Sequence, residues 1–264
     1  MRWAFSVYQP DLRANKERVR SADGSYTLYS AEFQEAYHST RDGALHESLQ
    51  KHVIPALHFK REKSSLVILD ICFGLGYNTL ATLYYIKEHN LPIRVHVLSP
   101  EFDEGLIRSL IDFEYPKVFE GLRPIIEALS QHLYYEDDQF TIEILLGDAR
   151  QSVPKIEQKI DVVYQDAFSP RQNPLLWTRE FFADIVSIAK EDMLLTTYST
   201  AAATRLGLYE NGLVLHEYQG ENTRRSLVAS RVPLKGLIPI DMELKKERNP
   251  TARSLRDIDY QIVA

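Results

Sequence analysis

Residues 66 to 78, Leu-Val-Ile-Leu-Asp-Ile-Cys-Phe-Gly-Leu-Gly-Tyr-Asn, constrain this chain more than any other stretch. Leu66 to Leu69 is short, branched and apolar, the pattern of a strand covered on both faces. Thr79 to Lys87 reads as a helix. Between them, Gly74 and Gly76 permit a tight turn and close approach of a ligand to the backbone, and the helix start offers unpaired N–H groups. Strand, glycine turn and helix form the phosphate- or nucleoside-binding corner of an α/β sheet. A dinucleotide fingerprint needs a third glycine three residues beyond Gly76, and Thr79 stands there. A ligand without a pyrophosphate is favoured, and S-adenosylmethionine is the candidate; an ordinary tight turn is the alternative.

The 264 residues, 44% hydrophobic and 26% charged, suffice for one α/β domain with extensions and would be cramped as two large ones. Cys72 is the single cysteine, which excludes an intrachain disulfide and a multi-cysteine metal site and suits a reducing cytoplasm. His38, His46, His52 and His58 form no ligand set, so no metal is expected. Met1 to Asp11 lacks a signal-peptide pattern and no apolar run is long enough to cross a bilayer, so a soluble, cytoplasmic protein with no membrane partner is expected. The formal net charge of −6 argues mildly against a broad nucleic-acid surface. Local charge can differ from the total: Lys16, Arg18 and Arg20, the pair Arg224 and Arg225, and Lys245, Lys246, Arg248, Arg253 and Arg256 are basic clusters. Each is more often a solvated face than a phosphate contact.

Residues 1–60 read as an N-terminal extension, with a short strand over Ser25–Ser30 and a helix over Ala44–His58 interrupted near Pro55. The core is expected over 61–232. Its strand candidates are Leu66–Asp70, Arg94–Ser99, Thr141–Leu145, Asp161–Gln165, Met193–Tyr198, Gly212–Tyr218 and Arg225–Ser230. Strands alternating with helices predict parallel βαβ units, whose right-handed crossovers gather the strand C-termini on one edge, where ligands bind. The last two strands, joined by a short polar loop, should pair antiparallel. The fold class is therefore α/β, a Rossmann-like and mostly parallel seven-stranded sheet closed by an antiparallel hairpin, as in class I S-adenosylmethionine-dependent methyltransferases. Residues 103–139 are too long for a simple crossover and read as a largely helical insertion. The tail, 233–264, is polar and ends in a strand-like Ile258–Val263.

Asp70, Glu101, Asp148 and Asp166 end successive predicted strands. Glu101 lies 25 residues beyond Gly76, near the spacing at which an acid accepts from ribose hydroxyls. Asp148 suits an adenine amine, and Asp70 either holds the glycine loop or faces a ligand amine. A single strand-end acid is usually a helix cap; four in one register point to a cofactor pocket. Asp166 also opens Asp-Ala-Phe-Ser-Pro-Arg-Gln-Asn-Pro-Leu-Leu-Trp-Thr, a stiff loop that sets the Phe168 ring beside a carboxylate, a surface suited to a planar base. Trp177 reads as the core anchor of a helix that Thr178 caps.

Phe-Gly-Leu-Gly-Tyr-Asn, Gly-Asp-Ala-Arg, Asp-Ala-Phe-Ser-Pro-Arg-Gln-Asn-Pro-Leu-Leu-Trp-Thr, Thr-Tyr-Ser-Thr and an Arg-Arg hairpin strand, in that order, resemble the methyltransferase domain of the MnmC family. The likeness runs over about residues 23–231 and includes the upstream Asp-Gly-Ser-Tyr and Gly-Ala-Leu-His-Glu-Ser elements. The family finishes 5-methylaminomethyl-2-thiouridine at the tRNA wobble position. The resemblance implies S-adenosylmethionine held by Asp70, Phe73, Gly74, Gly76, Asn78, Glu101, Asp148 and Ala149, and catalysis by Asp166 and Phe168. It implies an acceptor site of Phe168, Pro170, Arg171, Tyr198, Arg224 and Arg225, engaging the anticodon region of tRNA. The family usually has Glu then Thr-Gly at Asp70-Ile-Cys72, and Lys at Gln172, which puts a lysine role in that loop in doubt. Two-domain members add a flavin-dependent oxidase; the end at Ala264 leads to the expectation of the methyl-transfer half alone, working on aminomethyl-uridine made by separate enzymes.

Methyl transfer to an amine is an in-line displacement that needs an uncharged nitrogen. Asp166 is the residue expected to accept a hydrogen bond from the amine, and whether it also takes the proton stays open, since an ordinary Asp titrates near 3.9. Two other functions fit the residues: a methyl- or aminopropyltransferase for a small amine, and a non-catalytic cofactor-binding partner of a tRNA-modifying enzyme.

Overall fold

The computed structural model describes residues 16–260. Strands β1 (Lys16–Arg20), β2 (Tyr26–Ser30) and β3 (Glu35–Ala36) make a small antiparallel sheet. Helix α1 (Ala44–Ser48) and helix α2 (Ile54–Phe59) follow, joined through a wide π turn over Leu49–Val53. The helix break expected near Pro55 is this turn. Proline lacks an N–H and its ring crowds the carbonyl four residues back, so the irregularity falls in the turn before it.

The main sheet is built from β4 (Ser65–Ile71), α3 (Tyr77–Glu88), β5 (Arg94–Glu101), α4 (Glu104–Ser109), α5 (Arg123–His132), β6 (Tyr134–Glu136), β7 (Phe140–Leu146), α6 (Ala149–Ser152), β8 (Ile160–Gln165), α7 (Arg179–Ile188), β9 (Ala189–Thr197), α8 (Ala202–Glu210), β10 (Val214–Tyr218) and β11 (Ser226–Ser230). The strand order is β10-β11-β9-β8-β4-β5-β7-β6. β9, β8, β4, β5 and β7 run parallel, and β11 lies antiparallel between β9 and β10. The sheet therefore has eight strands where seven were expected. The extra one, β6, pairs antiparallel with β7 inside the segment read as helical. There α5 ends on Leu133 at φ +62°, and Asp137 accepts the backbone N–H groups of Gln139 and Phe140 at 2.8 and 2.7 Å, closing a tight hairpin. The remainder of the insertion is helical, as expected.

Both faces of the sheet are covered. Leu66 and Ile68 of β4 pack with Leu80 and Leu83 of α3, while Leu69 and Ile71 face Phe181, Phe182 and Ile185 of α7. Trp177 is fully buried in that second layer and its indole N–H donates to the Phe168 carbonyl at 2.7 Å, so it anchors the loop after β8. Thr178 caps α7 by accepting from the Phe181 N–H. The tail adds α9 (Met242–Arg248). The strand expected at Ile258–Val263 is not formed over its described part: Asp257–Tyr260 is a 3-10 turn, and residues 261–263 lie outside the described residues. The Arg256 side chain and the Asp257 N–H bond to Glu180 of α7, and the Arg256 N–H bonds within the turn to Asp259, so the described part of the segment forms no strand pairing. Among the described residues no helix is long and apolar enough to cross a membrane.

Asp70 interrupts the α3-facing side of β4. It is completely buried, accepting from the Thr79 hydroxyl at 2.8 Å and, more weakly, the Asn78 amide at 3.4 Å. Burial, the largest influence, together with the nearby Asp166 charge, pushes its carboxyl from the ordinary 3.8 up to about 7, against the pull of Thr79, His52 and Asn78. Between about pH 4 and 7 the folded state thus holds a proton that the unfolded chain has lost. Stability from this group is complete below pH 4 and falls by about 1.4 kcal/mol per pH unit up to pH 7. Urea denaturation of Asp70→Asn at pH 5 and 7.5 should show the variant gaining on the native chain as pH rises; a pH-independent difference would place Asp70 as an ordinary ionised carboxylate.

Candidate functional site

The chain leaves β4 through three residues in the left-handed region: Cys72 at φ +67°, Gly74 at +54° and Gly76 at +72°. Gly76 opens α3, and a Cβ there would lie 2.7 Å from the Phe73 ring. Cys72 adopts its conformation at a cost of order 1 kcal/mol, one that glycine avoids; burial pushes its thiol well above its ordinary range. The turn is fastened to the next strand. The Phe73 N–H donates to the Pro100 carbonyl at 3.2 Å and the Gly74 N–H to Glu101 Oε2 at 2.8 Å, while Glu101 Oε1 accepts from the Asp103 N–H at 2.8 Å. Burial, outweighing these two amide bonds, raises the Glu101 carboxyl. Asp148 caps α6 by accepting from the Arg150 N–H at 2.9 Å.

These loops enclose a cavity of about 290 Å³ lined by Phe73, Gly74, Asn78, Glu101, Asp148 and Ala149 of the expected set, together with Asp166 and Phe168. Its polar wall is mostly acceptors. Asn78 leaves its buried Oδ1 without a donor, and among the described residues the Lys and Arg side chains of the wall are already paired, Lys16 with Asp103 at 2.7 Å and Arg150 with Asp257. Such a wall suits a ligand rich in donors and positive charge, with an amino group, ribose hydroxyls and an adenine amine, and repels a pyrophosphate. S-adenosylmethionine has that chemistry.

A second cavity, of about 250 Å³, adjoins the first. Tyr37, His38, Asp166 and Phe168 line both. Asp166, at the end of β8, accepts from the Asn78 amide at 2.8 Å through Oδ2, and its Oδ1 stands 3.5 Å from His52 Nε2. Burial works to raise its carboxyl, yet His52, His38 and the Asn78 amide together hold it below the ordinary carboxylate range. Phe168 carries Phe33 stacked on its ring at 4.4 Å and Tyr37 edge-on at 4.8 Å. The Ser169 N–H donates to Glu35 at 2.8 Å.

Some expected residues lie elsewhere. Asp70 is absent from the lining of both cavities, and its carboxylate holds the start of α3 from beneath instead of facing a ligand amine. Gly76, Pro170 and Arg171 also lie outside both linings, Gly76 shaping the turn. Tyr198 lines the second cavity and donates to the Ala167 carbonyl at 2.9 Å. Arg224 lines it too, held to Asp42 at 3.4 Å, whereas Arg225 points to Glu217 on the neighbouring strand and lines neither. Residue patterns passed over the N-terminal contributors Phe33, Tyr37, His38 and His52, because nothing in their spacing marks a site. The upstream resemblance to Asp-Gly-Ser-Tyr and Gly-Ala-Leu-His-Glu-Ser was the signal available. Among the described residues no cluster of His, Cys, Asp or Glu is arranged to hold a metal ion.

Residues 118–232 match the family model described as S-adenosyl-L-methionine-dependent methyltransferase. The chain is similar to the crystal structure of MNMC2 from Aquifex aeolicus, with a TM-score of 0.80 and 32% identity over 94% of this chain and 80% of that one. It is 30% identical to an uncharacterized protein of Methanocaldococcus jannaschii over 221 residues, 82% of this chain and 60% of that protein. It is 29% identical over 229 residues to the tRNA 5-methylaminomethyl-2-thiouridine biosynthesis bifunctional protein MnmC of Cupriavidus metallidurans, covering 81% of this chain and 34% of that protein. The chain thus spans about a third of that bifunctional relative. A shared fold along nearly the whole chain, the methyltransferase family model, and the family's loop motifs around an acceptor-lined cavity agree: the chain belongs to the MnmC family, as its S-adenosylmethionine-dependent methyltransferase domain.

Proposed function

We propose that this domain methylates the primary amine of a 5-aminomethyl-uridine, with or without 2-thiolation, at the wobble position in the anticodon region of tRNA. The observation that carries the reading is the wall shared by the two cavities. Asp166 and Phe168 border both a donor-seeking cofactor space and a second space open to an acceptor. The names of the bifunctional relatives, which specify tRNA 5-methylaminomethyl-2-thiouridine biosynthesis, support the choice of acceptor.

In the first cavity Glu101 would accept from ribose hydroxyls, Asp148 and Ala149 would receive the adenine edge, and Gly74 and Asn78 would hold the amino-acid end, with Phe73 as an apolar wall. When bound, S-adenosylmethionine supplies a methyl group activated by a sulfonium. The protein's part is alignment and a free lone pair. Asp166 accepts a hydrogen bond from the amine and aims it, fixed in place by Asn78. Phe168, backed on one side by Phe33, presents its remaining surface to the uracil ring. Tyr198 closes the acceptor space, and Arg224, which lines it, would meet a flanking phosphate. Arg171 and Arg225, exposed and outside both cavities, belong to the surrounding tRNA surface in this reading. Alignment of this kind is worth up to roughly 7–11 kcal/mol. The substrate would come from separate enzymes that build aminomethyl-uridine.

Incubation with labelled S-adenosylmethionine and, separately, tRNA bearing 5-aminomethyl-uridine or polyamines should label the tRNA. Label only in polyamines would move the assignment to a small-amine transferase, and label in neither to a non-catalytic binding partner. Asp166→Ala should lower turnover at least about 100-fold and leave S-adenosylmethionine affinity within about threefold. Glu101→Ala should do the reverse of this second effect, weakening cofactor binding roughly tenfold or more in calorimetry, since it loses ribose acceptors and frees the Gly74 turn; unchanged affinity would remove Glu101 from the cofactor site.

A further inference from the structure

His52 lies in the π turn of the N-terminal segment, with no solvent exposure. Its Nδ1 stands 2.8 Å from Thr196 Oγ1. That hydroxyl also stands 3.5 Å from the Val163 carbonyl, so it can donate there and accept from Nδ1–H. In that tautomer the neutral ring keeps its lone pair on Nε2. This atom is buried, has no hydrogen-bond partner and faces Asp166 Oδ1 at 3.5 Å. Two acceptors facing each other in a dry site repel when bare and make a charge-assisted hydrogen bond when one proton lies between them. The Asn78 amide holds Oδ2, so the carboxylate cannot turn away without losing that bond. The pair is a seat for one proton, built from a turn of the N-terminal segment and the end of β8.

We infer that His52 is the proton acceptor behind Asp166: the proton that the substrate ammonium must lose passes through the Asp166 carboxylate to His52 Nε2. The inference rests on the amine-methylation reading above. An N–H bond of the ammonium breaks and its electron pair stays on nitrogen, while the proton ends on Nε2. That pair then forms the N–CH₃ bond, and the electron pair of the cleaved S–CH₃ bond remains on sulfur. The product leaves as a secondary ammonium, and His52 returns its proton through Asp166 to solvent once the site empties. His52 touches no substrate atom and acts through Asp166 as a positioning and proton-holding residue.

The groups that face His52 are Asp166 and the Tyr164 ring from β8, the latter edge-on at 5.5 Å, and Thr196 from β9. Asp70 below the glycine turn and His38 of the N-terminal segment lie within electrostatic range. Burial pushes the His38 imidazole down, and Asp166 is itself held below the ordinary carboxylate range and is a poor final store for a proton.

The test compares native enzyme with His52→Gln on tRNA bearing 5-aminomethyl-uridine between pH 6.5 and 9.5. At pH 7, kcat should fall roughly 10- to 100-fold, with KM for tRNA and S-adenosylhomocysteine affinity within about threefold. The deficit should shrink at least about fivefold towards pH 9.5, where the amine arrives neutral and needs no acceptor. A deficit constant with pH, or none, would overturn the proposal. The second arm needs neither turnover nor a variant: ¹⁵N imidazole spectra of the native protein above the histidine titration should show His52 protonated on Nδ1 and bare on Nε2. The opposite tautomer overturns the proposal even if His52→Gln does not fold. Native enzyme that leaves this tRNA unmethylated would refute the assigned reaction, while the spectra still decide whether the seat exists.

Discussion

The buried Asp166 carboxylate is the joint on which the site depends. It ends a central parallel strand, takes a hydrogen bond from Asn78 in the first turn of α3, and confronts His52 from the N-terminal segment. Three stretches far apart in sequence therefore converge on one charge. A carboxylate taken out of water is tolerated only with partners in place, so the same contacts that stabilise it also fix its direction. The two cavities meet at this point because the strand ends there and the loop held by Trp177 begins.

The acids of the site divide by surroundings. Glu101 ties the glycine turn to the end of β5 with two amide bonds and keeps lone pairs for a ligand. Asp70, also an acid and more deeply buried, spends its oxygens on Thr79 and Asn78 and is driven towards the protonated state. Depth separates them. An acid at the last residue of its strand can reach a ligand, whereas one before the strand end and under a helix supports the loop. The acidic balance of the chain is thus partly the chemistry of its cavity, which takes a cationic cofactor. Basic side chains near it are internally committed, as Lys16 is to Asp103 and Arg150 to Asp257.

The N-terminal segment is a wall of the site and not an appendage. Phe33 and Tyr37 clamp the Phe168 ring, Glu35 holds the Ser169 N–H, and His38 lines both cavities. None of this follows from local pattern, because each residue has a bland role in its own neighbourhood. The same holds for β6: its strand character comes from the partner β7 and a tight Asp137 turn, and an isolated three-residue stretch carries too little periodicity to show it.

What the sequence determined by itself was the part governed by short-range rules. Apolar runs at strand length, helical stretches between them and glycines where the backbone needs a positive φ dictate a mostly parallel α/β sheet with one ligand-binding edge. The absence of a third glycine and the acids at strand ends pointed to S-adenosylmethionine, and the Asp166 to Thr178 motif pointed to the family. Only the tertiary structure decided which acid faces the cavity and which is sealed beneath α3, that Arg225 lies away from the pocket while Arg224 lines it, and that His52 stands behind Asp166. Those outcomes depend on burial and on partners that the fold brings together, Arg224 with Asp42 and His52 with Asp166 among them, and desolvation and hydrogen bonding act on atoms brought together in space whatever their separation in sequence.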